Sequence, residues 1–143
     1  MGDTGAPSGP DEVQRFPVAG RFAVWVYPGA RLPYLLALEH DGVLRCWALP
    51  KEPSALPNER RLALPREDRH GAELDASGGP DQEVWDRGVW RIESAKPEKL
   101  VFFLEGARLQ GRYTLLRTRS DAWMLFKTKA ETKVSPARGR GRR

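Results

Sequence analysis

At 143 residues, 40% apolar and 30% charged, with 14 glycines and 12 prolines, the chain has room for one small core and not for two. The formal charge of +5 invites a reading as a basic nucleic-acid-binding domain. Yet Lys133, Arg138, Arg140, Arg142 and Arg143 stand in a final stretch without a single acid and account for the whole excess, so attraction for polyanions belongs to that tail and to local clusters. A lone cysteine, Cys46, excludes an intrachain disulfide and points to a reducing compartment.

In chain order, residues 1–16 are rich in Gly, Pro, Ser and acid with little to bury, and are expected to form a disordered leader. They have no basic n-region followed by an apolar h-region, and no window approaches the ~18 continuous apolar residues of a membrane span. A cytoplasmic protein is expected. From residue 17 to residue 130, short runs rich in Val, Leu, Phe, Trp and Tyr alternate with Gly, Pro and Asp, which is strand and turn chemistry.

Strands are expected near Gly20–Tyr27, Pro33–Glu39, Val43–Leu49, Arg61–Pro65, Glu83–Asp86, Val89–Glu93, Leu100–Leu104, Leu109–Arg117 and Ala122–Thr128. His40-Asp41-Gly42, Asp86-Arg87-Gly88 and Glu105-Gly106-Ala107 each put Gly beside polar residues between apolar runs, the pattern of hairpin reversals. Short helical turns are placed in Ser54–Arg60 or Ser94–Lys99. So many short strands would leave unpaired edges unless the sheet curls round, so the expected fold is mainly β: a small closed or nearly closed antiparallel barrel. Residues 131–143 are expected to be a basic disordered tail.

Stand-alone chemistry is scarce. There is no cysteine pair for zinc, no His-Glu-x-x-His, no phosphate-binding Gly loop and no Gly-rich dinucleotide fingerprint. The two histidines, His40 and His70, have no Ser or Cys at a spacing that supports nucleophilic catalysis. His40 with Asp41, and His70, are candidate metal ligands; the competing reading is a pair of solvated histidines in turns and charged loops. Trp47, Trp85, Trp90 and Trp123 lie in strands and read as packing residues rather than base-stacking platforms. Trp25 is left open between the two.

LEHDGVLRCWALPKEPS, RRLALPRED, VWDRGVW, KLVFFLEGARLQGRYTLLRT and AWMLFKTK together resemble, in order and spacing, the 3′-phosphoesterase domain of bacterial DNA ligase D, which also occurs free-standing. The resemblance spans about Arg21 to Lys129. It implies a β-barrel with a polar groove on its flank, and a manganese-dependent enzyme that trims ribonucleotides and phosphates from DNA 3′ ends in end joining. In that family a His, a His-Tyr-Asp run and a following Arg hold the metal and the phosphate. By position these fall here on Tyr27, Pro33, Leu35 and Ala37, with Tyr34 alone retained, and a later family His falls on Arg69, with His70 one residue beyond.

Pro, Leu and Ala offer a manganese ion nothing, and a neutral tyrosine is a poor ligand. The expectation is therefore a pseudoenzyme without a cofactor. The resemblance also matches the family's phosphate-contacting Lys and Arg to Lys51 and Arg61, though Glu52 replaces the Gly beside the lysine; both also read as ordinary surface charges. Glu39 and Glu67 keep family positions. Three functions follow. The first is a non-catalytic module for DNA ends or for a repair ligase or polymerase, helped by Arg138, Arg140, Arg142 and Arg143 of the tail. The second is a 3′-phosphoesterase rebuilt around His40, Asp41, Glu39 or His70. The third is a protein-interaction module using the apolar YPGARLPYLLALE face.

Overall fold

The computed structural model describes residues 20–75, 81–119 and 121–128; the predicted leader at 1–16 and tail at 131–143 lie outside them. Among the described residues eight strands run β1 (Gly20–Val26), β2 (Tyr34–His40), β3 (Val43–Leu49), β4 (Arg61–His70), β5 (Glu83–Lys96), β6 (Lys99–Gly106), β7 (Gln110–Arg119) and β8 (Ala122–Thr128). They close into one antiparallel barrel in the order β1-β2-β3-β4-β8-β7-β6-β5. Closure removes the edges that eight short strands would otherwise leave to pair with other chains. No helix among the described residues is long and apolar enough to cross a membrane.

Alternation along each strand sends one set of side chains inward. Phe22 and Val24 of β1, Leu36 and Leu38 of β2, Trp47 and Leu49 of β3, Phe102 and Leu104 of β6, and Tyr113 and Leu115 of β7 fill the barrel. Each such side chain contributes roughly 1.5–3 kcal/mol on leaving water. Phe102 is the hub of the aromatics, meeting Trp90 edge-to-face at 6.0 Å and stacking on Tyr113 at 6.4 Å.

The β2–β3 reversal is the tight two-residue hairpin the sequence predicts: Asp41 and Gly42 both take positive φ, 55° and 79°, as a primed turn requires. Two expectations are corrected. Asp86-Arg87-Gly88 is not a turn, because β5 runs unbroken from Glu83 to Lys96 and pairs with β1 at one end and β6 at the other. Its glycine serves close approach instead: a Cβ on Gly88 would strike the backbone carbonyl of Glu105. The helical turn also lies elsewhere. Ser94–Lys96 is strand, and among the described residues the one 3₁₀ turn occupies Gly71–Leu74, where Gly71 N–H donates to Gly42 O at 2.8 Å.

β4 is twice as long as its apolar run predicts, since Arg66 to His70 are polar yet still pair with β3. It meets β8 only over Arg61–Ala63. Beyond that, the outer edge of β4 carries Pro65 and a run of charges, which blunt it against pairing with another strand.

Candidate functional site

The outer face of β1–β4 carries a second apolar cluster separate from the barrel interior. Ala23 and Trp25, Leu35 and Ala37, and Leu44, Cys46 and Ala48 form it, with Leu74 of the 3₁₀ turn laid over them. Trp25 is wholly buried there, which settles it as a packing residue. Cys46 is equally enclosed, and burial pushes its thiol up to about 11, so it behaves as a small hydrophobe.

At the edge of this cluster opens a groove of about 800 Å³ between Tyr27, Leu32, Leu35 and Ala48 on one side and Pro65 to Arg69 on the other. Three positions predicted from separate stretches of sequence meet in this region: Tyr27, Leu35 and Arg69 line the groove, and Ala37 lies in the cluster beneath it. Pro33 flanks it, its carbonyl accepting from Tyr27 N–H at 2.7 Å. Tyr34 instead packs against the interior cluster, edge-on to Trp85 at 5.9 Å.

Arg69 reaches the groove through an irregularity in β4. Leu44 registers with Arg69 and Cys46 with Arg66, so two residues, Glu67 and Asp68, oppose Arg45 alone. This bulge resets the alternation and puts both Arg66 and Arg69 on the outer face. His70, one residue on and in register with Val43, turns to the other face by strand alternation. Arg69 Nη1 donates to the Tyr27 hydroxyl at 3.2 Å and to Glu73 Oε1 at 3.3 Å, and its guanidinium lies 6.0 Å from the centre of the Trp25 ring. Gln82 Nε2 donates to the same Tyr27 oxygen at 2.8 Å.

These donors do not suit a manganese ion. A guanidinium is bonded to the phenol oxygen that would have to ligate, and the facing side chains are hydrocarbon. Among the described residues no three His, Cys, Asp or Glu side chains come together to hold a metal. Glu39 is committed to Arg21, whose Nε and Nη2 donate to its two oxygens at 3.0 and 2.8 Å; Arg21 Nη1 also donates to Asp75 at 2.7 Å.

The candidate ligands His40, Asp41 and His70 are not brought to the groove. His40 and His70 both register with Val43 from opposite sides, which separates them by two strand spacings, roughly 10 Å. His40 Nδ1 stands 3.8 Å from Asp41 Oδ2. Lys51 and Arg61 also lie away from the groove. Lys51 is exposed, and Arg61 Nε donates to Glu52 O at 2.9 Å, with Nη1 on Arg60 O at 3.2 Å. Arg61 lines a different hollow, of about 300 Å³, with Trp85 and Arg108. Arg138, Arg140, Arg142 and Arg143 fall outside the described residues.

Sequence reasoning missed Arg66, Leu32 and Gln82. Nothing in the string Pro65 to His70 announces the bulge that turns Arg66 outward, and Gln82 reaches Tyr27 only through the tertiary fold.

The Arg21–Glu39 pair yields a pH prediction. The Arg21 hydrogen bonds hold the Glu39 carboxyl below its ordinary range despite partial burial. A depressed folded-state pKa means that the stabilisation is fully present above the unfolded value of about 4.3 and is lost as pH falls through the folded value. With Arg21 46% exposed, screening limits the contribution to about 1 kcal/mol. Urea midpoints should therefore separate Glu39→Gln from the parent near neutral pH, and the two curves should converge by about pH 2.

The DNA ligase D 3′-phosphoesterase domain model matches residues 29–117. The multifunctional non-homologous end joining protein LigD of Pseudomonas aeruginosa is 36% identical over 126 residues, covering 76% of this chain and 15% of that protein. Its counterpart in Mycolicibacterium smegmatis is 30% identical over 146 residues, covering 89% of this chain and 19% of that protein. The multifunctional non-homologous end joining DNA repair protein LigD of Mycobacterium tuberculosis is 32% identical over 129 residues, 79% of this chain and 17% of that protein. The chain thus spans less than one fifth of the length of these relatives.

Proposed function

This chain belongs to the DNA ligase D 3′-phosphoesterase domain family, and we propose that within it the barrel is a binding module of DNA end joining, holding DNA ends or a repair partner without metal-dependent phosphoryl chemistry. One observation carries the reading. The groove around Tyr27, Leu35 and Arg69, which the resemblance matches to catalytic positions, is built from a Tyr27–Arg69 hydrogen bond over Leu35 and Ala37, where a divalent ion would need imidazole and carboxylate. Arg66 and Arg69 keep a cationic wall there that can hold a phosphate or a partner's acid without a metal. The basic tail adds sequence-independent attraction for phosphates, and the protein acts in the cytoplasm, where the DNA is.

The test is a manganese titration with and without a 3′-phosphate primer, following metal binding and phosphate release together. Both are expected to stay at background. Turnover abolished by His40→Ala or His70→Ala would overturn the reading and install a rebuilt 3′-phosphoesterase. DNA affinity is expected to fall steeply with salt. Deleting residues 133–143 removes five cations, which should flatten the log–log salt slope for duplex DNA by up to about 4.5. An unchanged slope would disprove the tail's role.

A second reading is favoured by the apolar side of the groove, Leu32, Leu35 and Ala48: a protein segment, such as part of a repair ligase or polymerase, seats there instead of DNA. Retention of such a partner by a tailless protein that ignores DNA distinguishes it from the first.

A further inference from the structure

The outer wall of the barrel is finished in two ways. On β1–β4 the outward apolar side chains pack beneath Leu74 of the 3₁₀ turn. On the other stretch of wall, β6–β8 and the start of β4, alternation with the inward Phe102, Leu104, Leu115, Leu125 and Ala63 turns Phe103, Leu116, Met124, Phe126 and Leu62 outward. Cross-strand register makes one patch of them. Leu62 stands beside Met124 and Met124 beside Leu116, while Phe126 adjoins Thr114 and Phe103 adjoins Arg112. Phe103, Leu116, Met124 and Phe126 are half-buried and Leu62 is 37% exposed, and the 3₁₀ turn, which lies on the other face, does not cover them.

This patch is aromatic with a cationic rim. Arg60 holds its guanidinium 5.2 Å from the centre of the Phe126 ring, and Arg91 stands 4.8 Å from that of Phe103. Arg112 registers between Phe103 and Thr128, and Lys99 borders Leu116. Two acids on these strands answer the four cations: Glu93 accepts from Arg112 at 2.9 and 2.8 Å, and Glu105 stands 3.9 Å from Arg91. Arg60 and Lys99 make no ion pair among the described residues, so the rim keeps positive charge.

We propose that this face of β6–β8 binds single-stranded DNA, with bases stacked at Phe103 and Phe126 and phosphates held by Arg60 and Lys99. A planar base matches both an aromatic ring and a guanidinium plane, and each base of an unpaired strand brings a phosphate. A duplex hides the faces of its bases and is the poorer occupant. Two strand spacings across and two residues along separate the rings by about 12 Å, so each takes its own base. An acidic protein segment would answer the cations, but its acidity leaves both rings without a planar partner. The choice of DNA over RNA rests on the end-joining function proposed above, while the face shares no residue with the groove.

A dye-labelled oligothymidylate titrated with the full-length protein, read by fluorescence anisotropy, is the test, and a blunt duplex is the control. Phe103→Leu and Phe126→Leu keep an apolar side chain at outward positions and remove only the ring. Each should weaken the oligothymidylate about tenfold and leave the duplex unchanged, and Phe126→Tyr should bind as the parent does. Residues 133–143 contain no aromatic, so a loss on removing a ring reads this face and not the tail. Ultraviolet crosslinks from 5-iododeoxyuridine in the strand should fall on Phe103 and Phe126. The proposal is overturned if both leucine variants bind as the parent does, if crosslinks fall only elsewhere, or if a polyglutamate peptide depends on the two rings and the oligothymidylate does not. Duplex binding that persists without oligothymidylate binding would sink this inference alone and leave the groove reading standing.

Discussion

Replacing Asp86 with Ala is expected to cost about 3–5 kcal/mol of folding stability, a large share of what a domain this size holds. Asp86 is 3% exposed, and its carboxylate gathers a loop. Oδ1 accepts from the backbone N–H groups of Arg87 at 2.9 Å and Ala107 at 2.8 Å. Oδ2 accepts from Arg108 at 3.1 Å and Leu109 at 2.8 Å. Alanine would strand the buried Leu109 N–H and leave three part-buried donors without their shared acceptor, so the loop would lose its anchor and part of the desolvation cost would go uncompensated. The same carboxylate is felt by Tyr113, whose phenol is raised to about 12 by burial first and by Asp86 second. Urea denaturation with a common slope reads the loss. A shift below about 1 kcal/mol would mean that water reaches the loop and satisfies it.

Gly88→Ala is the second large effect, at about 3 kcal/mol. Gly88 registers with Gly106 across β5 and β6, and the two strands approach so closely that a Cβ on Gly88 would overlap the Glu105 carbonyl. On Gly106 a Cβ would meet Phe22 Cζ at 2.7 Å and Asp86 Oδ2 at 2.5 Å. The clash is with backbone or with a pinned carboxylate, so no flexible side chain can give way. Gly29→Ala is the internal control. Gly29 has φ +88° but nothing within 4 Å of a new Cβ, so it should cost only the left-handed strain of about 1 kcal/mol. Equal losses at the two sites would show that backbone conformation, not strand approach, governs Gly88.

The same corner explains where local reading of the chain succeeds and fails. His40-Asp41-Gly42 and Asp86-Arg87-Gly88 look alike as strings, both polar residues ending in Gly. In the first, the glycine supplies positive φ for a two-residue hairpin. In the second, it lets two strands touch while the Asp reaches across to cap a loop twenty residues away. Only the neighbour in space distinguishes a turn glycine from a packing glycine. The charged half of β4 is hidden for a related reason: Arg66 to His70 have no apolar alternation because, among the described residues, one edge has no partner strand there and the face they present lines a groove.

The sequence by itself determined the strand-rich character, the closed barrel and the family. Alternating apolar runs must be buried on one face, and short strands without covering helices must close. The resemblance led to the expectation that Tyr27, Pro33, Leu35, Ala37 and Arg69 stand at metal-binding positions, and none of these residue types suits a divalent ion, since ligand chemistry is a property of each side chain. What only the tertiary structure decided is how those positions meet. The bulge that turns Arg66 and Arg69 outward, the Tyr27–Arg69–Gln82 contacts, and the separation of His40 and His70 from the groove all arise from strand register and closure. Those are set by the summed packing of residues far apart in the chain, and no local pattern encodes them.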